Sequence, residues 1–329
     1  MDEPTSALAE GQIFKVFQLV RQLKARGLAI IYISHQLEEI FEIADRVTVL
    51  RNGSSCGTFP LSEIDEANLV CLIVGRDFTS YTPGTTATSF GAEALAVKGL
   101  THRGVYEDIN MVVHEGEIVG IFGQVGAGRT ELLRGIFGVD PVDAGEIRVA
   151  GTPVRIDSPI TAICHGLGFL TEDRKGQGLV PCMGVADNIV LASLDFISRR
   201  GLIDLERRNA IAGRFVQELN IKTPDLNRWV KFLSGGNQQK VILARWLSRS
   251  CRVLLLDEPM KGIDVGAKTE LRRLMRDLAG KGVALIVVFS DPAEVLDICD
   301  RILVMREGRI TGDFLQGEVT KERLIACSI

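Results

Sequence analysis

Apolar residues in this chain collect in short, dense runs. Three runs have the length of a strand and are rich in valine, isoleucine and leucine, at residues 28–33, 253–256 and 283–289. Such runs are typical of strands that are buried on both faces of a parallel sheet. Elsewhere, as at residues 132–137, apolar residues recur at helical spacing. The pattern predicts an α/β fold, and no run reaches the roughly 20 residues of a membrane span.

A segment at the start of the chain recurs near its end. The sequence DEP at residues 2–4 matches residues 257–259, an offset of 257 − 2 = 255 that holds without a gap to Phe59 and Phe314. Both copies have the pattern of an acidic strand end, a helix, a second strand, another helix and a strand pair around a glycine turn. A repeat of this length indicates two related domains rather than a solenoid.

The second copy is expected to be complete, and the first to hold only its last third. We predict the C-terminal part of a first domain at 1–80, a linker at 81–92 and a full second domain at 93–329. Subtracting the offset puts the counterpart of Gly123 at 123 − 255 = −132, upstream of Met1. The expectation is a tandem protein whose front part is missing from this chain.

Composition limits the class of function. The 329 residues are 46% apolar and 24% charged, with 38 Lys and Arg against 42 Asp and Glu and a pI near 5.7. Nucleic-acid binding in general needs a basic face, so we expect no nucleic-acid partner. The seven cysteines contain no CxxC pair, and the chain opens on acidic residues rather than a leader. Both features predict a cytosolic protein with reduced thiols.

A glycine-rich loop follows an apolar strand pattern at 117–122 and precedes the helical spacing at 132–137. The loop consists of Gly123, Gln124, Val125, Gly126, Ala127, Gly128, Arg129 and Thr130. Its glycines let backbone N–H groups face phosphate oxygens at a helix N-terminus, and Thr130 is the predicted Mg²⁺ ligand. Arg129 replaces the usual lysine, and its longer planar side chain predicts a poorly positioned terminal phosphate. A purely structural glycine turn is the alternative.

Two carboxylates end another apolar strand. Asp257 and Glu258 directly follow the run at 253–256. In this arrangement the first carboxylate holds Mg²⁺ and the second polarises the attacking water. Acidic residues also occur as solvated caps of ordinary strands, but their combination with the glycine loop favours the catalytic interpretation.

Between these motifs the sequence LSGGNQQK opens an amphipathic helix. Ser234, Gly235 and Gly236 at its start predict a second anion-binding helix N-terminus. A plain capped helix would need only the serine. Two glycines are useful where a ligand must approach the backbone closely.

Together these motifs resemble the ATP-binding cassette family, whose signature is LSGGQ and whose acidic strand runs into DEP. The segments GQVGAGRT, LSGGNQQK and TEDRKGQGLV are similar to the tandem ATP-binding subunits of bacterial monosaccharide importers, the ribose, galactose and xylose type. The resemblance covers essentially the whole chain. It implies an α/β P-loop NTPase fold with a parallel-sheet core, an antiparallel β subdomain and a helical signature subdomain, preceded by the end of a second such cassette.

The resemblance also implies composite ATP sites, each made by the phosphate loop of one cassette and the signature of the other. Glu3 and His35 would be the catalytic glutamate and switch histidine of the first cassette, and Glu258 the glutamate of the second. Ser290 stands at the position that matches His35 (35 + 255 = 290), where serine cannot provide a charged imidazole. Glu172 occupies the Q-loop position, with an ordinary surface turn as the alternative.

The implied function is Mg²⁺-dependent ATP binding and hydrolysis that drives a monosaccharide importer. The implied partners are membrane permease subunits, indirectly a periplasmic sugar-binding protein, and a second cassette chain, at the cytoplasmic side of the bacterial inner membrane. A catalytically weak regulatory cassette is the alternative that Arg129, Ser290 and the missing front suggest. The acidic pI disfavours a cassette that acts on ribosomes or DNA. His102 and Tyr106 are candidates for stacking on adenine, or else ordinary β-subdomain residues.

Overall fold

The computed structural model describes residues 1–2, 4–5, 10–34, 37–51, 53–74 and 90–329. The described residues divide into two compact units. One unit holds the described residues up to 74 together with Asp264–Thr269, and the other holds those from 90 to Ile263 together with Glu270–Ile329. The predicted linker at 81–92 lies outside the described residues as far as residue 89.

The first unit consists of helices around one hairpin. Its elements are α1 (Glu10–Ala25), α2 (Leu37–Ile43), β1 (Arg46–Arg51), β2 (Ser54–Pro60) and α3 (Glu66–Val74). Strands β1 and β2 pair antiparallel. The buried side chains that hold these elements together are Leu37, Val47, Val49, Ile64 and Leu69.

The apolar run at 28–33 does not form the predicted strand. Ile33 makes a single bridge to Asp2, and Leu28 and Ile31 are exposed. A strand needs a neighbour that pairs with its N–H and C=O groups along its length. In the described part of the chain, the extended partners of this run are only Met1 and Asp2.

The remainder of the described chain contains both strands and helices. The strands are β3 (Glu93–His102), β4 (Tyr106–His114), β5 (Ile118–Gly123), β6 (Ala144–Val149), β7 (Thr152–Val154), β8 (Leu167–Leu170), β9 (Ser198–Arg199), β10 (Leu202–Ile203), β11 (Val253–Asp257), β12 (Ala284–Phe289), β13 (Arg301–Arg306) and β14 (Arg309–Leu315). The helices are α4 (Arg129–Ile136), α5 (Pro159–Cys164), α6 (Val185–Val190), α7 (Leu194–Ile197), α8 (Leu205–Glu218), α9 (Gly235–Ser248), α10 (Val265–Gly280), α11 (Pro292–Ile298) and α12 (Lys321–Ser328).

A six-stranded sheet in the order β14-β13-β5-β12-β11-β8 forms the core of the second unit. Five strands are parallel, and β14 returns antiparallel at the edge. The runs predicted at 253–256 and 283–289 form β11 and β12, in which every residue is buried. Strand β12 lies between β5 and β11. The glycine loop after β5 and the carboxylates after β11 therefore leave the same edge of the sheet, on either side of the end of β12.

Two smaller parts complete this unit. One is an antiparallel sheet in the order β4-β3-β6-β7. The other is helical, with α9, the helix that begins in LSGGNQQK, packed against α6 and α8. The predicted combination of a parallel core, an antiparallel β subdomain and a helical signature subdomain is confirmed.

The sequence repeat is also a structural repeat. The elements α1, α2, β1 and β2 begin 255 residues before α10, α11, β13 and β14, as in 301 − 46 = 255 for the first strand of each hairpin. Both hairpins contain the same irregularity, because the register shifts between Val49 and Leu50 and again between Val304 and Met305. Helices α3 and α12 begin 321 − 66 = 255 residues apart as well, so the structural repeat extends beyond Phe59 and Phe314.

Candidate functional site

The glycine loop joins β5 to α4 and is shaped for a ligand at its open end. Gly126 and Gly128 have φ angles of 87° and 90°, a region that favours glycine. A Cβ atom on Gly123 would lie 2.3 Å from the backbone oxygen of Met305, so a side chain does not fit there. Gly128 caps α4 without a side chain, which leaves the N–H groups of the first helical turn available. This is the geometry by which helix N-termini bind phosphate.

Thr130 and Asp257 meet beside this loop. The Thr130 hydroxyl donates a hydrogen bond of 3.2 Å to Asp257 Oδ1, and Asp257 is only 1% exposed at the end of β11. Hydroxyl and carboxylate oxygens are ligands that Mg²⁺ prefers, with phosphate oxygens and water completing its shell. The two side chains therefore fit the predicted Mg²⁺ site.

A cavity of about 380 Å³ opens next to this pair. Its lining residues are Thr130, Arg134, Phe169, Thr171, Glu172, Asp173, Gln177, Asp257 and Lys261. The volume lies in the range of small-molecule pockets. The cavity brings together three of the predicted site residues, which are Thr130, Glu172 and Asp257.

Arg129 points away from this cavity. Its Nη1 donates a hydrogen bond of 2.6 Å to the backbone oxygen of Phe289, at the end of β12, and lies 3.7 Å from Glu258 Oε1. The side chain is 9% exposed. A guanidinium is longer than an ammonium and has several donors, so it reaches the carbonyl and the carboxylate on the neighbouring strands. The charge expected at the phosphate loop is thus directed toward Glu258.

Glu258 has an uncommon backbone conformation and two side-chain partners. Its backbone has a φ angle of 45°, an uncommon left-handed conformation for a residue with a side chain. Arg129 lies on one oxygen, and the Ser290 hydroxyl donates a hydrogen bond of 3.2 Å to the other. Burial raises the pKa of Glu258 to about 6, against the opposing effects of Arg129 and Ser290. The serine at the predicted switch position therefore contacts the predicted catalytic glutamate.

Asp257 is the second carboxyl group whose pKa is raised. Burial raises the pKa of Asp257 to about 6, while the hydrogen bond from Thr130 lowers it. The unfolded chain would titrate at the ordinary value of 3.8, so between about pH 4 and pH 6 the folded state binds more protons. The contribution of Asp257 to the free energy of unfolding of the nucleotide-free chain therefore falls as the pH rises through this window.

Asp257→Asn removes this titration, so the variant should gain stability relative to the natural chain as the pH rises. We expect the difference in unfolding free energy to grow by about 1 kcal/mol from about pH 5 to about pH 8. Urea denaturation in the presence of a chelator measures it. Asp277→Asn, an exposed position on α10, is the matched control. A difference that does not change with pH would contradict the raised pKa of Asp257.

Glu172 lies on an exposed turn and still faces the cavity. The turn continues into a short π-helical segment, Arg174–Gly178, which is capped by Asp173 through a 2.9 Å hydrogen bond from the Gly176 N–H group. Glu172 Oε1 lies 2.5 Å from Lys261 Nζ. The surface-turn interpretation of Glu172 fits this exposed position, and the turn also lines the cavity. The Q-loop role of Glu172 stays a prediction.

The signature residues form a separate surface. Ser234 is the exposed N-cap of α9, and its Oγ accepts a 2.8 Å hydrogen bond from Asn237 Nδ2. A Cβ atom on Gly235 would lie 3.2 Å from Arg174 Nη2, and Gly236 is buried. None of the three glycine and serine positions 234–236 lines the cavity. The structure therefore does not bring the signature to the phosphate loop of the same cassette.

Other predicted residues contribute nothing to the described site. Glu3 and His35 lie outside the described residues. Tyr106 is buried, and a Cβ atom on Gly135 would lie 2.1 Å from its hydroxyl oxygen, so its ring is covered by α4 and unavailable to a base. His102 lies beside Tyr106, with 5.9 Å between ring centroids. Tyr106 is therefore an ordinary packed residue of the β subdomain, while the half-buried His102 stays a candidate.

Sequence reasoning missed two basic side chains that line the cavity, Arg134 and Lys261. Arg134 is one helical turn beyond Thr130 on α4, a spacing that puts both on one face. Lys261 lies two residues after the DEP motif. In the sequence, this closeness to the motif is the one signal that could have marked it as a cavity residue.

Fold and site together define a P-loop nucleotide-binding cassette. Residues 106–261 match the family model described as ABC transporter. The chain belongs to the ABC transporter ATP-binding family.

Sequence relatives cover nearly the whole chain. It is 50% identical over 326 residues to the ribose import ATP-binding protein RbsA 3 of Rubrobacter xylanophilus, which covers 99% of this chain and 65% of the relative. It is 45% identical over 325 residues to the ribose import ATP-binding protein RbsA of Bacillus subtilis, with 99% and 66% covered. The chain thus spans about two thirds of the length of these relatives.

Solved structures share the fold. A nucleotide-free ATP-binding cassette from an ABC transporter superposes with a TM-score of 0.62 at 20% identity, over 70% of this chain and 95% of that chain. A dimeric cassette bound to ADP and Pi in a post-hydrolysis state superposes with a TM-score of 0.58 at 23% identity, over 68% and 98%. Among the described residues, no helix is both long and apolar enough to cross a membrane.

Proposed function

We propose that this chain is an ATP-binding and ATP-hydrolysing component of a bacterial monosaccharide importer. The observation that carries the proposal is the contact between Thr130 and Asp257 beside the phosphate loop and the cavity. The names of the relatives, which are ribose import ATP-binding proteins, support the sugar and the direction of transport. They also favour this function over a purely regulatory cassette.

Each group of the site has a chemical role in this proposal. The N–H groups of the glycine loop and of the first turn of α4 bind phosphate oxygens. Thr130 and Asp257 would hold Mg²⁺, which neutralises charge on the phosphates when bound. Glu258 orients the attacking water and takes its proton, and the pKa of about 6 leaves this carboxylate charged at neutral pH. Glu172 lines the same cavity.

The signature completes a site on another cassette. At the start of α9, Ser234 is exposed, Gly235 is half-exposed and Gly236 is buried. None of the three lines the cavity beside the phosphate loop of this chain. We infer that they close over ATP held by the phosphate loop of a second cassette. In that composite site, Glu3 and His35 keep their predicted catalytic roles.

The proposed partners follow from the importer. They are the membrane permease subunits, indirectly a periplasmic sugar-binding protein, and a second cassette chain. The proposed location is the cytoplasmic side of the bacterial inner membrane, as a peripheral protein. We propose no nucleic-acid partner, in keeping with the net charge of −4.

Thr130→Val tests the proposal, because valine keeps the shape of threonine and removes the hydroxyl that would bind Mg²⁺. We expect MgATP to bind roughly tenfold more weakly, because a polar contact to a charged group is lost. Binding of ATP in the presence of a chelator should stay the same. Isothermal titration calorimetry measures both, with the exposed Thr152→Val on β7 as the control. Equal MgATP affinity in Thr130→Val and the natural chain would contradict the proposed site.

A further inference from the structure

The cavity contains one basic side chain that has no role in the site described above. Two cationic residues line it, Arg134 and Lys261. Arg134 is committed to Asp140 by a bidentate pair with N···O distances of 2.7 and 2.8 Å. Lys261 is 64% exposed in its side chain, and among the described residues its ammonium pairs with the carboxylate of Glu172. Of the two, Lys261 is therefore the cation that a ligand can recruit.

The phosphate loop presents no positively charged side chain to the cavity, because Arg129, its one basic residue, does not line it. A nucleoside triphosphate carries several negative charges, and phosphate loops place a cation beside the terminal phosphates. Arg129 donates to the Phe289 carbonyl and lies near Glu258, and it is buried outside the cavity lining. Moving the Arg129 side chain into the cavity would break its hydrogen bond to the Phe289 carbonyl and leave the buried Glu258 carboxylate without its nearby cation, and both changes are costly.

Lys261 is placed to fill this role. Its backbone is fixed, since its N–H group donates to the backbone oxygen of Glu258 at 3.1 Å, and Gln239 Nε2 donates to the backbone oxygen of Pro259 at 2.8 Å. The side chain faces a cavity that it shares with Thr130 and Asp257. The exposed pair with Glu172 is weak enough to exchange. The same pair raises the pKa of Lys261, so the ammonium remains charged.

We propose that Lys261 binds the terminal phosphates of the nucleotide in place of the arginine of the phosphate loop. The inference rests on the proposed ATP-binding function and names a further residue of that site. On nucleotide binding, the ammonium exchanges the carboxylate of Glu172 for phosphate oxygens, with no change in the Arg129 contacts. Glu172 is then the residue that holds Lys261 at the cavity wall before nucleotide binds.

Isothermal titration calorimetry of the whole chain with MgATP and with MgADP tests this role. Lys261→Met should weaken MgATP binding about tenfold, which corresponds to one lost charge-assisted contact, and should weaken MgADP binding less. Lys261→Arg should restore most of the affinity. The matched control is Lys281→Met at an exposed turn, which should bind like the natural chain. Arg129→Met is compared in parallel.

Two outcomes would overturn the role of Lys261. One is MgATP affinity in Lys261→Met equal to that of the natural chain. The other is a larger loss in Arg129→Met than in Lys261→Met from variants that fold alike by circular dichroism, which would return the phosphate contact to the arginine. Failure of the natural chain itself to bind MgATP would instead contradict the proposed function, so the two failures are distinguishable.

Discussion

Replacing Ser234 with arginine is expected to abolish ATP-driven association with a second cassette. Ser234 is the exposed N-cap of α9, where the helix dipole already adds positive charge. The new guanidinium would also stand beside Arg174, whose Nη2 lies near Gly235. The added bulk would keep a phosphate held by the other cassette from reaching the N-terminus of α9. We expect a loss of roughly 100-fold or more, since a clash built into an interface opposes association.

The measurement is sedimentation of this chain with a cassette that carries a lysine phosphate loop, in the presence of ATP. Sugar uptake by a reconstituted importer is the second readout. Ser198→Arg, exposed on β9, is the matched control. MgATP binding to the chain itself should be unchanged in Ser234→Arg, because Ser234 does not line its cavity. Normal association and uptake in this variant would refute the role of the signature in a composite site.

Glu258→Gln should lower ATP hydrolysis to background while MgATP still binds. The amide keeps the shape of the side chain but cannot take a proton from the attacking water, and such general-base steps contribute about 10²- to 10⁴-fold. Hydrolysis by the natural chain should already be slow. Arg129 lies on one oxygen of Glu258, and Ser290 replaces the histidine expected at its other side.

Single-turnover hydrolysis and calorimetry, run on the same preparations, separate chemistry from binding. Glu206→Gln, exposed in the first turn of α8, changes the same charge away from the site and serves as the control. Robust turnover that survives Glu258→Gln would show that catalysis belongs to another group. Loss of MgATP binding in this variant would mean that Glu258 acts in binding rather than in proton transfer.

The strands and the phosphate loop could be predicted because their signals are local. Buried strands such as β11 and β12 are continuous apolar runs, and glycines at positions 126 and 128 favour the positive φ angles that the loop has there. The failed strand at 28–33 shows the limit of that reasoning. Its apolar run is as dense as the others, but strand formation depends on a pairing neighbour that local sequence does not describe.

Contacts within the site were less predictable, since they join residues that are far apart in the sequence. The Thr130 hydroxyl reaches Asp257 across 127 residues, and Arg129 reaches the Phe289 carbonyl across 160 residues. The motifs indicated that the first two residues share a metal site. They gave no sign that the guanidinium turns toward the end of β12, or that Tyr106 is covered by α4.

By itself, the sequence determined the family and the 255-residue repeat and predicted the phosphate-binding loop, because glycine spacing and apolar periodicity act over short stretches of chain. Tertiary structure alone decided which charges serve the cavity. Because β12 lies between β5 and β11, Arg129 is close to the Phe289 carbonyl and the Glu258 carboxylate. Lys261, which follows β11, pairs with Glu172, which follows β8. The physical reason is that a side chain takes the partners that burial and distance offer, and those partners are set by the order of strands in the sheet.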